Sequence, residues 1–95
     1  MIYEGLRIYQ PANGIFIREA TQDHMMGDIK VKKGTLVMTS SMSNHYNAEY
    51  FPEPTKYIPE RWLDENGQIK TAKPFTWLTF SAGARSCIGK QLALS

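Results

Sequence analysis

Hydrophobic positions follow a helical period only near the two ends of the 95-residue chain. Ile2, Leu6 and Tyr9 recur at roughly helical spacing until Pro11 interrupts the run, which predicts a helix at the start of the chain. Residues 90–94 contain good helix formers and no breaker, which predicts the beginning of a second helix. Because both helical patterns look interrupted by the chain ends, we expect a fragment of a longer protein.

Between these helices the apolar runs are short and typical of strands. Residues 14–18 form a run that closes on Arg18, and residues 35–39 are the strongest strand-forming segment. Gly27-Asp28 separates two brief runs and predicts a hairpin, whereas residues 40–46 are polar and predict a loop or one helical turn.

A proline-rich segment begins at Phe51. Pro52, Pro54 and Pro59 exclude a helix or a central strand there, yet the aromatic residues among them indicate packing. We therefore expect a long, ordered, irregular coil that ends in an exposed turn at residues 64–67. The predicted architecture is α+β, with one N-terminal helix, a few short strands, this coil and the start of a C-terminal helix.

Composition excludes several classes of protein. The net charge of +2 comes from 11 basic and 9 acidic residues without a block of one sign, so we expect no nucleic-acid partner. One cysteine cannot form an internal disulfide. No uncharged run reaches the roughly 18 residues of a membrane span, and the first residues do not have the pattern of a signal peptide.

The candidate for chemistry is Cys87, which lies in a loop of small residues just before the second predicted helix. Unpaired amides and the positive end of a helix dipole stabilise a thiolate, and Arg85 would lower its proton affinity further. A reactive-thiol module is one alternative. A metal site made of Cys87, His24 and His45 is another, although these residues lack the paired spacing of zinc ligands.

The cysteine loop carries a resemblance to a known family. Its residues match the haem-binding signature of the cytochrome P450 family at Phe80, Gly83, Arg85, Cys87 and Gly89. Glu4-Gly5-Leu6-Arg7 resembles the Glu-x-x-Arg helix motif of that family, and Pro59-Glu60-Arg61-Trp62 resembles its Pro-Glu-Arg-aromatic motif. The chain departs from the usual pattern at Gln10, Thr79 and Ala84.

The resemblance implies that residues 1–95 are an incomplete part of a single, mainly α cytochrome P450 domain. It implies haem b as cofactor, with Cys87 as the axial thiolate ligand of the iron and the catalytic residue. It also implies that Arg85 and Arg18 bind the haem propionates and that Phe80 packs beside the sulfur. Gly83 and Gly89 are expected to allow close approach of the backbone and to adopt backbone angles that other residues resist.

The same resemblance changes the interpretation of the charged residues. Glu4 and Arg7 are three residues apart and share a helix face, and spacing alone favours a solvated pair worth about 0–1 kcal/mol. The family pattern instead implies a buried structural triad of Glu4, Arg7 and Arg61. It further implies that the segment from Pro11 to Phe16 lines a substrate pocket, with Ile15 and Phe16 as contacts.

The implied activity is insertion of one oxygen atom from O2 into a small, lipophilic organic substrate, with electrons from a redox partner such as a reductase. The form of the loop, Phe80-Ser81-Ala82-Gly83, resembles that of members on the cytosolic face of the endoplasmic reticulum membrane. Membrane attachment would then use parts outside this chain. The alternative is a truncated, non-catalytic product that cannot bind haem productively, and we expect the isolated chain to be inactive.

Overall fold

The computed structural model describes residues 1–12 and 15–95. These residues form three short α-helices and two antiparallel two-stranded sheets, joined by long irregular segments. The elements are α1 (Ile2–Ile8), β1 (Ile15–Glu19), β2 (His24–Met26), β3 (Ile29–Val31), β4 (Leu36–Ser40), α2 (Met42–His45), α3 (Lys90–Leu94) and 3₁₀ helices at Pro59–Trp62 and Gly83–Arg85. The predicted α+β composition is confirmed.

Helix α1 ends earlier than its apolar spacing predicts. Tyr9, which was expected to belong to the helix, has φ −115° and ψ 72°, although its N–H still donates to the Gly5 carbonyl at 2.7 Å. Pro11 has no N–H for a further turn and disfavours helical angles in Gln10, so the helix stops at Ile8.

The larger sheet pairs β1 with β4, from Ile15 opposite Ser40 to Glu19 opposite Leu36. Both predicted strands are confirmed with their ends shifted by one residue. Residues 13 and 14, which belong to the predicted turn and the predicted strand start, lie outside the described residues. Because side chains alternate along a strand, Phe16 and Arg18 share one face of β1, and Ile15 lies on the other.

The smaller sheet is the predicted hairpin. β2 and β3 pair from His24 opposite Val31 to Met26 opposite Ile29, and Gly27 in the turn has φ +60°. Glycine adopts this left-handed conformation without the steric cost of a Cβ. The hairpin prediction is therefore confirmed.

The proline-rich segment is irregular as predicted, except for one 3₁₀ turn. The exclusion of any helix there is wrong at Pro59–Trp62. Pro59 opens this turn, where a fixed φ and a missing N–H cost nothing. The polar segment before the coil contains one helical turn, α2, which was one of the two expected outcomes.

The packing centre is a chain of aromatic rings that runs from α1 through the coil to the cysteine loop. Trp62 is 4% exposed, and its ring lies 5.5 Å from that of Tyr3, 5.8 Å from that of Phe51 and 5.5 Å from that of Trp77. Trp77 in turn contacts Phe80 at a centroid distance of 5.9 Å. These rings attach the irregular coil to α1 without regular secondary structure.

No helix in the described part of the chain is long and apolar enough to cross a lipid bilayer.

Candidate functional site

Arg7 is completely buried, and its guanidinium group binds two separate parts of the chain to α1. Nε and Nη2 donate to the two carboxylate oxygens of Glu4 at 2.9 and 2.8 Å. Nη1 donates to the carbonyls of His45 and Pro54, both at 2.7 Å, and Nη2 also donates to the Lys56 carbonyl at 3.2 Å. A guanidinium has five N–H donors, and all five are used here.

Glu4 is the complementary acceptor at the centre of this cluster. Besides the two bonds from Arg7, its carboxylate accepts from the Ile58 amide at 3.1 Å, from Arg61 Nε at 3.0 Å and from Trp62 Nε1 at 2.8 Å. Burial by itself would raise the pKa of Glu4. The hydrogen bonds from Arg7, Ile58, Trp62 and Arg61 outweigh burial and hold the pKa at about 2.

Arg61 joins the same carboxylate to the coil that contains it. Its side chain is 11% exposed, and its remaining nitrogens donate to the carbonyls of Pro52 and Glu53 at 2.9 and 3.4 Å. The structure thus places Glu4, Arg7 and Arg61 together. The surface pair that spacing alone favours for Glu4 and Arg7 is wrong, since both side chains are 0% exposed.

Trp62 is a member of this cluster that sequence reasoning missed. The motif predicted an aromatic residue that packs, but the indole N–H also donates to Glu4 Oε2. The residue type could have indicated this role, because a tryptophan has an N–H donor that a phenylalanine of similar packing function does not have.

His45 is the second missed residue, and it is also fully buried. Its Nε2 accepts a hydrogen bond from the Leu78 amide at 2.9 Å, so this nitrogen carries no proton. The hydrogen is then on Nδ1, which faces the Arg7 carbonyl at 3.3 Å. The polar run around His45 contained no signal for this role.

The environment of His45 favours the neutral ring. Burial lowers its pKa from an ordinary 6.5 to about 4. The hydrogen bond to the Arg7 carbonyl favours the proton, whereas the Arg7 charge opposes it. His45 therefore accepts the Leu78 N–H as an uncharged imidazole throughout the neutral pH range.

Two of the departures from the family pattern make contacts near His45. Gln10 contacts the imidazole and accepts a hydrogen bond from Ser41 Oγ at 3.0 Å. Thr79 Oγ1 donates to the Leu6 carbonyl at 3.3 Å, which connects the segment before the cysteine loop to α1. A proline at either position would lack these side-chain hydrogen bonds.

The cysteine loop is closed by a hydrogen bond from the Cys87 amide to the Phe80 carbonyl at 2.8 Å. Cys87 is exposed and lies three residues before α3 begins. Among the described residues, no oxygen accepts a hydrogen bond from the Ile88 or Gly89 amide. The turn that follows the sulfur therefore has N–H groups available to an acceptor.

The two loop glycines differ in conformation. Gly83 has φ +74°, which L-residues with a side chain rarely adopt, and a Cβ placed there would have no heavy atom within 4 Å. Gly89 has φ −82°, so the prediction that it supplies an unusual backbone angle is wrong. A Cβ on Gly89 would lie 3.8 Å from Cys87 Sγ, which is an ordinary contact distance.

The two arginines predicted to bind anionic groups are exposed. Arg18 donates to the neighbouring Ile17 carbonyl at 2.9 Å, and Arg85 ends the second 3₁₀ helix. In the part of the chain that the structure describes, neither guanidinium group contacts Cys87. Phe80 is half-buried against Trp77 rather than isolated in the loop.

The described residues contain no group of three or more His, Cys, Asp or Glu side chains that could hold a metal ion. His24 is exposed and contacts the Gln22 carbonyl, whereas His45 is buried and bonded to Leu78.

Comparison with known proteins gives a family match over the whole chain. The sequence model described as "Cytochrome P450" matches residues 1–95. "Cytochrome P450 4V2" of Mus musculus is 37% identical over 99% of this chain, and "Probable cytochrome P450 12a5, mitochondrial" of Drosophila melanogaster is 37% identical over 96%. "Cyclooctat-9-en-7-ol 5-monooxygenase" of Streptomyces melanosporofaciens is 36% identical over the full chain. The matched region covers 17%, 18% and 20% of these three relatives.

Replacement of Arg7 tests the buried charge cluster. We expect Arg7→Ala to lower the free energy of unfolding by about 3–5 kcal/mol, because Glu4 would remain buried without its main cationic partner. The matched control is Lys56→Ala, which breaks the Lys56–Glu53 pair at the same i,i+3 spacing. Those side chains are 66% and 58% exposed, so the expected loss is below about 1 kcal/mol. Urea unfolding of the full-length protein measures both losses, and equal losses would contradict the assignment.

Proposed function

Because the chain belongs to the cytochrome P450 family, we propose that it is part of a haem-thiolate monooxygenase in which Cys87 is the axial ligand of haem b. The observation that carries this proposal is the exposed thiol of Cys87 in a loop whose preceding residues, Leu78 and Thr79, are hydrogen-bonded to α2 and α1. The chain covers about a fifth of the length of its relatives. The proposed activity is therefore that of a longer protein, in which residues 1–95 are an incomplete part of one domain.

The chemistry of the loop fits a flat group bound through an anionic sulfur. The free amides of Ile88 and Gly89 can donate to a thiolate on Cys87, which tunes its electron donation. Open space beside Gly83 leaves room for a macrocycle to approach the backbone closely. Phe80, which packs edge-on against Trp77, is proposed to keep water from the sulfur.

When bound, a haem with a thiolate ligand supplies the activation of O2, because the electron-rich sulfur favours O–O cleavage. The reaction inserts one oxygen atom into a small, lipophilic organic substrate, and the electrons come from a redox partner such as a reductase. The residues of this chain hold the sulfur in place. The remaining pocket wall and the partner surface belong to the longer protein.

Arg85 and Arg18 are proposed to bind the haem propionates. Both guanidinium groups are exposed, and a guanidinium presents a planar fork that matches a carboxylate. The strand geometry adds a constraint on substrate contact, since Phe16 shares the face of Arg18 and Ile15 lies on the opposite face. If Arg18 faces the haem, Phe16 is the proposed substrate contact rather than Ile15.

The cytosolic face of the endoplasmic reticulum membrane is the proposed location of the longer protein. Only the form of the loop supports it, and one relative reported above is named as mitochondrial.

Cys87→Ser tests the iron ligand in the full-length protein. We expect the wild-type protein, reduced under carbon monoxide, to show the red-shifted Soret band of a thiolate complex, because sulfur donates electron density to the iron. This band should be absent in Cys87→Ser, since a serine hydroxyl is not a thiolate. A wild-type protein that binds haem without the shifted band would contradict the assignment.

Haem retention tests the two proposed propionate contacts. We expect Arg85→Ala and Arg18→Ala each to accelerate transfer of haem to a scavenging protein by about tenfold, which corresponds to loss of one charged hydrogen bond. Arg85→Lys should recover part of the loss, because it keeps the charge without the fork. The control is Lys30→Ala on the small hairpin, and a rate equal to that of the arginine variants would argue against specific contacts.

A second candidate, favoured by the exposed apolar side chains near the loop, is that the 95-residue chain is by itself a non-catalytic product. Ile88 is 102% exposed, Leu92 83% and Phe75 72%. Exposed apolar groups of this kind indicate a surface that needs a cover. We expect the purified chain to bind haem weakly and to unfold without cooperativity. Tight haem binding, or one sharp thermal transition in calorimetry, would exclude this candidate.

A further inference from the structure

We propose that His45 is a positioning residue for the cysteine loop (residues 80–89). Its unprotonated Nε2 fixes the start of that loop by accepting a hydrogen bond from the Leu78 amide. This inference rests on the proposed function, because the loop is assigned there as the iron-binding element. His45 touches neither Cys87 nor the proposed haem, and it acts through the backbone.

A series of backbone hydrogen bonds connects His45 to the residue that carries the sulfur. His45 Nε2 accepts from the Leu78 N–H at 2.9 Å, and the Leu78 carbonyl accepts from the Ser81 N–H at 3.0 Å. Phe80 lies between Leu78 and Ser81 in the sequence, and its carbonyl accepts a hydrogen bond from the Cys87 N–H at 2.8 Å. Each end of the loop is therefore tied to the segment that His45 holds.

The main chain and the ring of His45 are both held by contacts to their surroundings. The His45 carbonyl accepts from Arg7 Nη1 at 2.7 Å, and its ring packs at 6.4 Å, edge on, with Phe51. Nδ1 faces the Arg7 carbonyl, so the same residue of α1 is bonded to both the main chain and the ring of His45. A ring fixed on these sides can present Nε2 in only one direction.

The His45 ring has to be neutral for Nε2 to accept this hydrogen bond. A protonated ring would place a second N–H against the Leu78 N–H, which is a contact between two donors. Within residues 1–12 and 15–95, the charged groups that reach His45 come from α1, namely Arg7 and the Glu4 that pairs with it. The loop presents an amide, and Phe51 presents an aromatic edge. No carboxylate among the described residues contacts the ring to compensate a positive charge.

Acid should weaken the hydrogen bond by which His45 holds Leu78. The pKa of His45 is lowered from 6.5 to about 4 in the folded protein, so the unfolded chain binds the proton more readily. The stabilisation from the neutral ring is complete above pH 6.5 and is lost as the pH falls towards 4. Thiolate ligation should weaken over the same range.

The experiment compares His45→Gln with His45→Phe in the haem-loaded, full-length protein. A glutamine side chain can place an uncharged amide oxygen near the position of Nε2, whereas phenylalanine keeps the ring volume without an acceptor. We expect His45→Phe to release haem to a scavenging protein about tenfold faster and to convert part of the shifted Soret band to an unshifted one. His45→Gln should keep the wild-type band and release rate at pH 7.

The pH profile separates positioning from packing. Between pH 6.5 and 4 the wild-type band should decline with acid, and His45→Gln should show a flatter profile because it has no proton to bind. His24→Gln is the matched control, since His24 is exposed on β2 and should keep the wild-type profile. If His45→Phe fails to fold, the comparison of wild type with His45→Gln still decides the question.

Each outcome has a separate meaning. A wild-type protein without the shifted band contradicts the proposed function and leaves no thiolate ligation for His45 to support. A wild-type band that both His45 variants retain overturns the positioning role alone, as does equal loss in both variants or a His45→Gln profile identical to that of wild type.

Discussion

The buried ion pair of Glu4 and Arg7 is the interaction on which the rest of the structure depends. Every N–H of the guanidinium and both carboxylate oxygens are satisfied, so two charges are held without solvent exposure. Three of the five Arg7 donors bind backbone carbonyls from segments 38 to 49 residues away. The ion pair therefore organises main chain that no helix or sheet could organise.

This arrangement explains how the proline-rich coil is ordered. Arg7 and Arg61 donate to four carbonyls of that coil, at Pro52, Glu53, Pro54 and Lys56. These donors replace the amide partners that prolines cannot supply. Trp62 then links the charges to the aromatic chain, because its ring packs with Tyr3 and Trp77 and its N–H reaches Glu4.

The cysteine loop is connected to the same ion pair indirectly, through His45 and Thr79. His45 is bonded to Arg7 on one side and to the Leu78 amide on the other, and Thr79 reaches the Leu6 carbonyl. The loop itself buries little of its own surface, with Cys87 and Arg85 exposed. Its geometry is therefore set from behind by polar contacts, which leaves the thiol side free for the proposed haem.

Local chemistry was enough to predict the short elements from the sequence. Short runs of strand-forming residues predicted β1 and β4, Gly27 predicted the hairpin turn, and prolines predicted most of the irregular coil. The end of α1 at Ile8 and the 3₁₀ turn at Pro59–Trp62 differ from the elements that the residue pattern predicted. Burial of Glu4 and Arg7 could not follow from i,i+3 spacing, because spacing defines a face and the tertiary structure decides what covers it. The roles of Trp62 and His45 also required the fold, since their partners lie 58 and 33 residues away in the chain. The sequence by itself determined which residues could donate, accept and turn, and only the tertiary structure decided which of them meet.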